Sequence, residues 1–467
     1  MRPGVRCKLR LTLPDYIKLN AIGELDDDDV KIDLSTVISA RAALDYDQAR
    51  WLSDEPVVQP SPSNHDVIIE YAAHPKAQLY VKTSENSWQT YDLSANSETM
   101  LVEVQPTYRP VTLRIVDKTT HNKVPIRLHL RGAHGEYLPP RGHHRKVNPF
   151  WFEDNYAEFV NVHKQYCYVD GECIVDLPLG HVYIEATRGY EISPLRTRIE
   201  VTPDTNLITL ELERVLHWRK KGWVTADTHV HFLSPHTALL EGQAEDVHVV
   251  NLLASQWGEM FSNVGDFDGR TTLGAKEFGG DGEFLVRVGT KNRMQVLGHI
   301  SLLGYSGAMI HPLCAGRPGC VATRPQPPAR TRCRYGARSG QCYRDDDLQP
   351  AQPGAPTDQP LRHRGLISLS QPRLSGASRG GSDKMSATSL LGGVRTYAHL
   401  GNRPFTYENW MHAIRVGNTF VTVGPLGAFR VEGVSPGGQV RLPADGGTVN
   451  VIWQLNRRVC RLIRLKW

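Results

Sequence analysis

The chain has 467 residues, 40% of them apolar, and a formal net charge of +5, which suits about three domains with buried cores. So slight a charge on so long a chain argues against nucleic acid as a partner, and no run of roughly 18 apolar residues offers a membrane span. Met1 to Arg10 is basic but leads into no hydrophobic core of the kind a signal peptide needs, so the cytoplasm is the default expectation.

The first half predicts β structure. In residues 1–105, Val67 to Tyr71, Gln78 to Val81 and Met100 to Val104 read as strands of a small N-terminal β unit. The four aspartates Asp26 to Asp29 lack the glycine and terminal glutamate of a calcium loop, so a solvated acidic turn is expected. Residues 106–215 hold short alternating runs, Val111 to Val116, Val124 to Leu130, Cys173 to Leu177, His181 to Ala186 and Leu207 to Leu212, separated by Gly, Pro, Asn and Asp. That spacing predicts an antiparallel sandwich. Cys167 and Cys173 flank a turn at Val169 to Glu172 and are placed across a hairpin, as a disulfide or as two thiols. His143-His144 between basic residues reads as a basic loop, with a phosphate-contacting patch as the alternative.

From residue 216 the pattern changes. Trp223 to Phe232 is an apolar strand ending in His229-Val-His231. Alternate residues of a strand share a face, so both imidazoles point one way, with Asp227 beside them. Two neutral imidazoles aimed at one point suit a borderline-soft divalent ion such as zinc. A helix over Ala238 to Glu245 and a buried strand over Val247 to Leu253 follow, making a strand-helix-strand unit with the histidines at a strand's carboxyl end. Further on come Gly298-His299-Ile-Ser-Leu-Leu-Gly304 and Gly381-Ser-Asp383-Lys-Met385. Thr406 caps a helix over Tyr407 to Val416, Gly417 stops it, and the strand Thr419 to Val423 leads to Gly424-Pro.

The four segments Asp227 to Phe232, Gly298 to Gly304, Gly381 to Met385 and Gly417 to Pro425 resemble, in order, the CehA/McbA branch of the PHP (polymerase and histidinol phosphatase) metallohydrolases. The resemblance covers roughly residues 217–315 and 380–435. It implies a distorted (β/α)7 barrel over 216–428 and metal ligands at His229, His231, His299 and Asp383. The metal the resemblance implies is zinc, with manganese or iron as alternatives, and no catalytic side chain is assigned. A metal-activated water would then attack an ester, amide or phosphoester of a small-molecule substrate.

Several residues depart from that pattern. Leu253-Ala-Ser255-Gln256 stands where a Thr-Asp-His is usual, Lys291 stands where a glutamate is usual, and a lysine ammonium cannot coordinate. His236, Glu241, Glu259 and Asp266 are substitutes by position, each with an ordinary loop or surface reading beside it. Residues 316–380 hold eleven arginines and nine prolines without lysine, glutamate, phenylalanine or tryptophan. No periodicity crosses them, which predicts a disordered or frame-shifted insert that leaves the barrel incomplete. In it His363 lies between arginines and is not expected to ligate, and Cys314, Cys320, Cys333 and Cys342 lack the short knuckle of a zinc module. Residues 429–467 begin a β unit, with Val449 to Trp453 as one strand, that is expected to be truncated. The fold expected is therefore multidomain β plus α/β: β-sandwich modules, an incomplete barrel and a partial β unit. Three functions compete: a metal-dependent hydrolase, an inactive relative acting as a binding module, and a β-sandwich carbohydrate- or surface-binding protein.

Overall fold

The computed structural model of the chain describes residues 6–12, 25, 29–33, 37–53, 55, 58–72, 74, 76–84, 87–93, 101–104, 107–145, 147, 157–257, 260–294, 298–306, 341–344, 380–441 and 448–456. The chain divides into two compact units, the first of Met1–Val147, Glu158–Thr187 and Pro194–Glu213, the second of Asn148–Ala157, Arg188–Ser193 and Arg214–Trp467.

Alternation of apolar and polar residues builds the first unit. One antiparallel sheet runs in the order Val37–Asp45, Ser61–Ala72, Arg6–Thr12, Leu101–Val104, and a second in the order Val30–Asp33, Gln78–Ser84, Ser87–Asp92. Leu11, Val67, Ile69 and Tyr71 from the first share a buried cluster with Val30, Ile32, Leu79, Val81 and Tyr91 from the second. The two sheets thus close over each other as a sandwich.

A five-stranded sheet follows, in the order Glu158–Asn161, Lys164–Val169, Ile126–Arg131, Gly180–Thr187, Leu195–Val201, with a three-stranded one of Glu172–Leu177, Arg109–Asp117 and Leu207–Leu212. All five runs expected between Val111 and Leu212 fall on strands. Leu207–Leu212 buries every second residue, the mark of one face turned to a core. Cys167 and Cys173 do not face each other across a hairpin. The chain changes sheet at Gly171, so Cys167 pairs toward Leu128 and Cys173 toward Leu113, and both thiols are free.

In the second unit an open mixed sheet runs in the order Gln341–Arg344, Gly298–Leu303, Leu285–Met294, Val249–Trp257, Trp223–Val230, Arg395–His399, Thr419–Thr422. This corrects the expected barrel. Trp223–Val230, Val249–Trp257 and Leu285–Met294 are parallel, but the strands beyond them on both sides pair antiparallel. One crossover carries the helix Pro235–Ala244; the next carries the short strands Met260–Ser262 and Thr272–Leu273. Closure needs the parallel strand-helix repeat to continue around a ring, and among the described residues it ends after three strands. The hydrolase reading that came with the barrel loses that support.

The helix Tyr407–Val416 has Thr406 as its N-cap, accepting from Asn409 N, and Gly417 as its left-handed stop at φ 80°. It buries Trp410, Met411 and Ile414 against Val224, Val249 and Leu285 of the sheet. Leu426–Val431 pairs with Val451–Asn456 as a two-stranded ribbon that leaves Phe429, Val451 and Ile452 exposed. Of the suspect stretch 316–380, Gln341–Arg344 is an edge strand; the remainder apart from Gly380 lies outside the described residues, with His363, Cys314, Cys320 and Cys333. No described helix is long and apolar enough to cross a membrane.

Candidate metal centre

The strand Trp223–Val230 lies inside the sheet, hydrogen-bonded on both sides, and is buried almost throughout. That fixes where its end emerges. Phe232, at φ 66°, turns the chain just past the strand and leaves His231 fully buried beside the nearly buried His229. The His229 Nε2 and His231 Nε2 atoms are 2.9 Å apart. His231 Nδ1 lies 2.9 Å from the Leu253 carbonyl and 3.3 Å from Ser262 Oγ. A ring N–H donated to a carbonyl leaves the opposite nitrogen as the acceptor, the usual arrangement behind a metal-ligating histidine.

Asp383 completes the group from far along the chain. Its Oδ1 is 3.2 Å from His229 Nε2 and 3.9 Å from His231 Nε2. The ligand atoms of His229, His231 and Asp383 lie within 4.8 Å of one another. Around a tetrahedral ion at ~2.1 Å from its ligands, neighbouring donors sit about 3.4 Å apart, which the three separations bracket. Asp383 Oδ1 is buried without a hydrogen-bond partner among the described residues. An orphaned carboxylate oxygen beside two imidazole nitrogens fits a divalent cation.

Asp227 shows why Asp383 arrives there. Buried completely, it accepts from Ser382 N and Oγ, Gly392 N and His229 N, pinning the segment that carries Asp383 to the end of the strand. Burial pushes its carboxyl up and these donors pull it back. Gly381 is obligatory in this clasp: a Cβ there would come within 2.5 Å of His229 N and 2.8 Å of Asp227 Oδ1. Lys384 adds a second clasp. Its carbonyl accepts from His231 N, and its ammonium donates to the Ser386 and Ser389 carbonyls and lies 3.5 Å from Glu241. Asp383 itself sits at φ 48°, a strained backbone for a non-glycine residue.

The fourth side chain at the centre is Lys291, 3% exposed, whose Nζ is 2.8 Å from His229 Nε2. It is a cation where a ligand carboxylate was looked for. Against a divalent ion about 4 Å away its repulsion would be on the order of 8 kcal/mol at an effective dielectric of 20, so the ammonium would have to swing aside.

Of the other candidates, His236, Glu241 and Asp266 do not join among the described residues. His299 lies on Gly298–Leu303 opposite Arg293, its side chain outside the described residues. His236 opens the helix Pro235–Ala244, Glu241 faces Lys384, and Asp266 accepts from Asn263. Glu259 lies outside the described residues. Sequence reasoning missed the clasps of Asp227 and Lys384; the Gly-Ser-Asp-Lys run was the available signal for both.

No protein-family model and no curated protein matches the chain. Among solved structures it is similar in part to the group B streptococcus pilus 2b backbone protein, with 11% identity, 45% of this chain and 86% of that one covered, and a TM-score of 0.18. It is also similar to BcpA, the major pilin subunit of Bacillus cereus, with 12% identity over 45% of this chain and 59% of that one at a TM-score of 0.16. For a streptococcal ancillary pilin the figures are 13% identity, 49% and 67% covered, and 0.15. Likeness at that level assigns neither fold nor activity to this chain.

Proposed function

We propose that this chain is a binding protein: β-sandwich modules followed by a sheet unit that holds one divalent metal, zinc by its donor set, on His229, His231 and Asp383. The ion's open coordination positions would capture an anionic oxygen ligand, a carboxylate or a phosphate. The observation that carries this reading is the orphaned Asp383 Oδ1 set 3.2 Å from one imidazole nitrogen and 3.9 Å from the other. Binding is favoured over catalysis because, among the described residues, the next group at the centre is the Lys291 ammonium, not a fourth ligand or a base. An expected hydrolytic barrel is also replaced by an open sheet.

Metal analysis of the full chain dialysed against zinc tests it. One zinc per chain is expected, lost in the His229→Ala, His231→Ala double variant, with chelator-sensitive retention of the loaded protein on a carboxylate or phosphate resin. Absence of bound zinc overturns the centre. Steady turnover of an aryl ester or phosphodiester by the loaded protein overturns the binding reading in favour of catalysis.

A further inference from the structure

The first unit carries a cleft with no part in the metal centre. Its volume is about 270 Å³, and its lining includes Thr107, Pro139, Arg141, His143, Arg145 and Asp176. Asp176 comes from the strand Glu172–Leu177, and Arg141 is held beside it by its own N–H to the Ile174 carbonyl. The Arg141 guanidinium then grips Asp176 through two bonds, Nε to Oδ2 at 3.1 Å and Nη2 to Oδ1 at 2.6 Å. A turn from Pro140 to His143 shapes the mouth.

The charges in the cleft are already balanced. Arg141 faces Asp176, Arg145 faces Glu70, and His143 lies 3.8 Å from Glu158, which also holds His144. A free anion would have to compete with a bidentate partner for Arg141. A neutral ligand that both donates and accepts would not: Arg141 keeps N–H groups outside its bond to Asp176, Asp176 keeps acceptor lone pairs, and Thr107 and the imidazole of His143 do both. What the cleft presents is therefore mainly polar: Leu138 is 2% exposed and the Tyr137 ring is stacked on His129.

We infer that this cleft binds a neutral pyranose, as a free sugar or as the terminal ring of a glycan, with Arg141 and Asp176 reading adjacent hydroxyls. The volume lies just under the ~300–1,000 Å³ of pockets for drug-sized ligands, which suits one ring. An open cleft and a small polar ligand give a Kd on the order of 1 mM. The site is independent of the metal, so its failure leaves the zinc reading standing.

Calorimetry of the full chain with methyl α-mannoside, methyl β-glucoside and methyl β-galactoside, beside an array of neutral, sialylated and sulfated glycans, is the test. At least one neutral hexose is expected to bind, at least tenfold more weakly in Arg141→Ala and Asp176→Ala, and unchanged in the His229→Ala, His231→Ala double variant. Both side chains are partly exposed, and thermal unfolding of the two variants reports whether the fold survives. Binding to the array but not to methyl glycosides assigns the site to glycan ends; binding to both assigns it to the ring alone. Recognition confined to acidic glycans, binding that both variants retain, or no sugar binding at all would overturn the inference.

Discussion

Each unit buries a cation, and the two are held in opposite ways. In the first unit Arg131, 1% exposed, lies under three aromatic rings, its guanidinium carbon 3.7 Å from the Tyr183 centroid, 4.1 Å from Tyr46 and 4.5 Å from Trp51. Burial pulls its pKa down to about 10, yet the cation faces π-electron density that compensates it. In the second unit Lys291 faces the Nε2 of His229, near a carboxylate oxygen with no hydrogen-bond donor. Arg131 is compensated by aromatic rings that also pack the core. On the reading proposed above, Lys291 stands among groups that would suit a different cation, a divalent metal.

Breaking the first site should cost the most. Trp51 is fully buried, packs edge-on to Tyr46 and Tyr183, and is held by a one-turn helix that Asp47 caps. Trp51→Ala is expected to destabilise the first unit by about 3–5 kcal/mol, read by urea unfolding, since it removes a large buried ring and uncovers Arg131. Zinc binding should survive wherever the second unit stays folded. At the other site, the His229→Ala, His231→Ala double variant should lose zinc affinity by at least ~100-fold, about 2.7 kcal/mol, in competition with a chromophoric chelator. Zinc should raise the melting temperature of the parent and leave that of the variant unmoved.

How much of this was legible depended on range. The helix Tyr407–Val416 was readable to the residue because its signals, Thr406 and Gly417, are local. The strand ending at His229 and His231 was readable for the same reason, and Asp383 entered through a resemblance that the fold does not bear out as a barrel. Arg6–Thr12, Val37–Asp45 and Leu195–Val201 went unread: charged residues interrupt their apolar alternation, and those of the last two strands sit on exposed or half-exposed faces. Whether Cys167 and Cys173 share a hairpin depends on which sheet each strand joins, and that is settled by packing across the sandwich. The partner of Lys384, Glu241, lies more than a hundred residues away and leaves no local mark either.

Glu241 offers a test by pH. Burial, only partly offset by Lys384, pushes its carboxyl from 4.5 up to about 7. An acid whose folded pKa is raised holds its proton more tightly in the folded chain, so its contribution to stability is present below pH 4.5 and is lost as pH rises toward about 7. Glu241→Gln carries no such loss. Urea unfolding from pH 5 to 8 should show the variant gaining on the parent by on the order of 2 kcal/mol. His248, pushed down to about 4 by its own burial, works the other way in both proteins and cancels in the difference. A gap that stays flat with pH would mean that Glu241 keeps its charge throughout, held by Lys384.

The smallest effect is the one that bears most directly on the comparison of the two cations. If Lys291 stands in the place of a metal's neighbour, Lys291→Met removes a repelling charge while keeping most of the apolar stem. Zinc affinity should then rise by about tenfold, ~1.4 kcal/mol, far below the fixed-charge repulsion because a flexible ammonium can turn aside. Arg131→Met makes the matching control: it removes a buried cation too, but one held by aromatic rings, and zinc affinity should not respond. A loss of affinity in Lys291→Met would assign the lysine nitrogen to the metal's own ligand set.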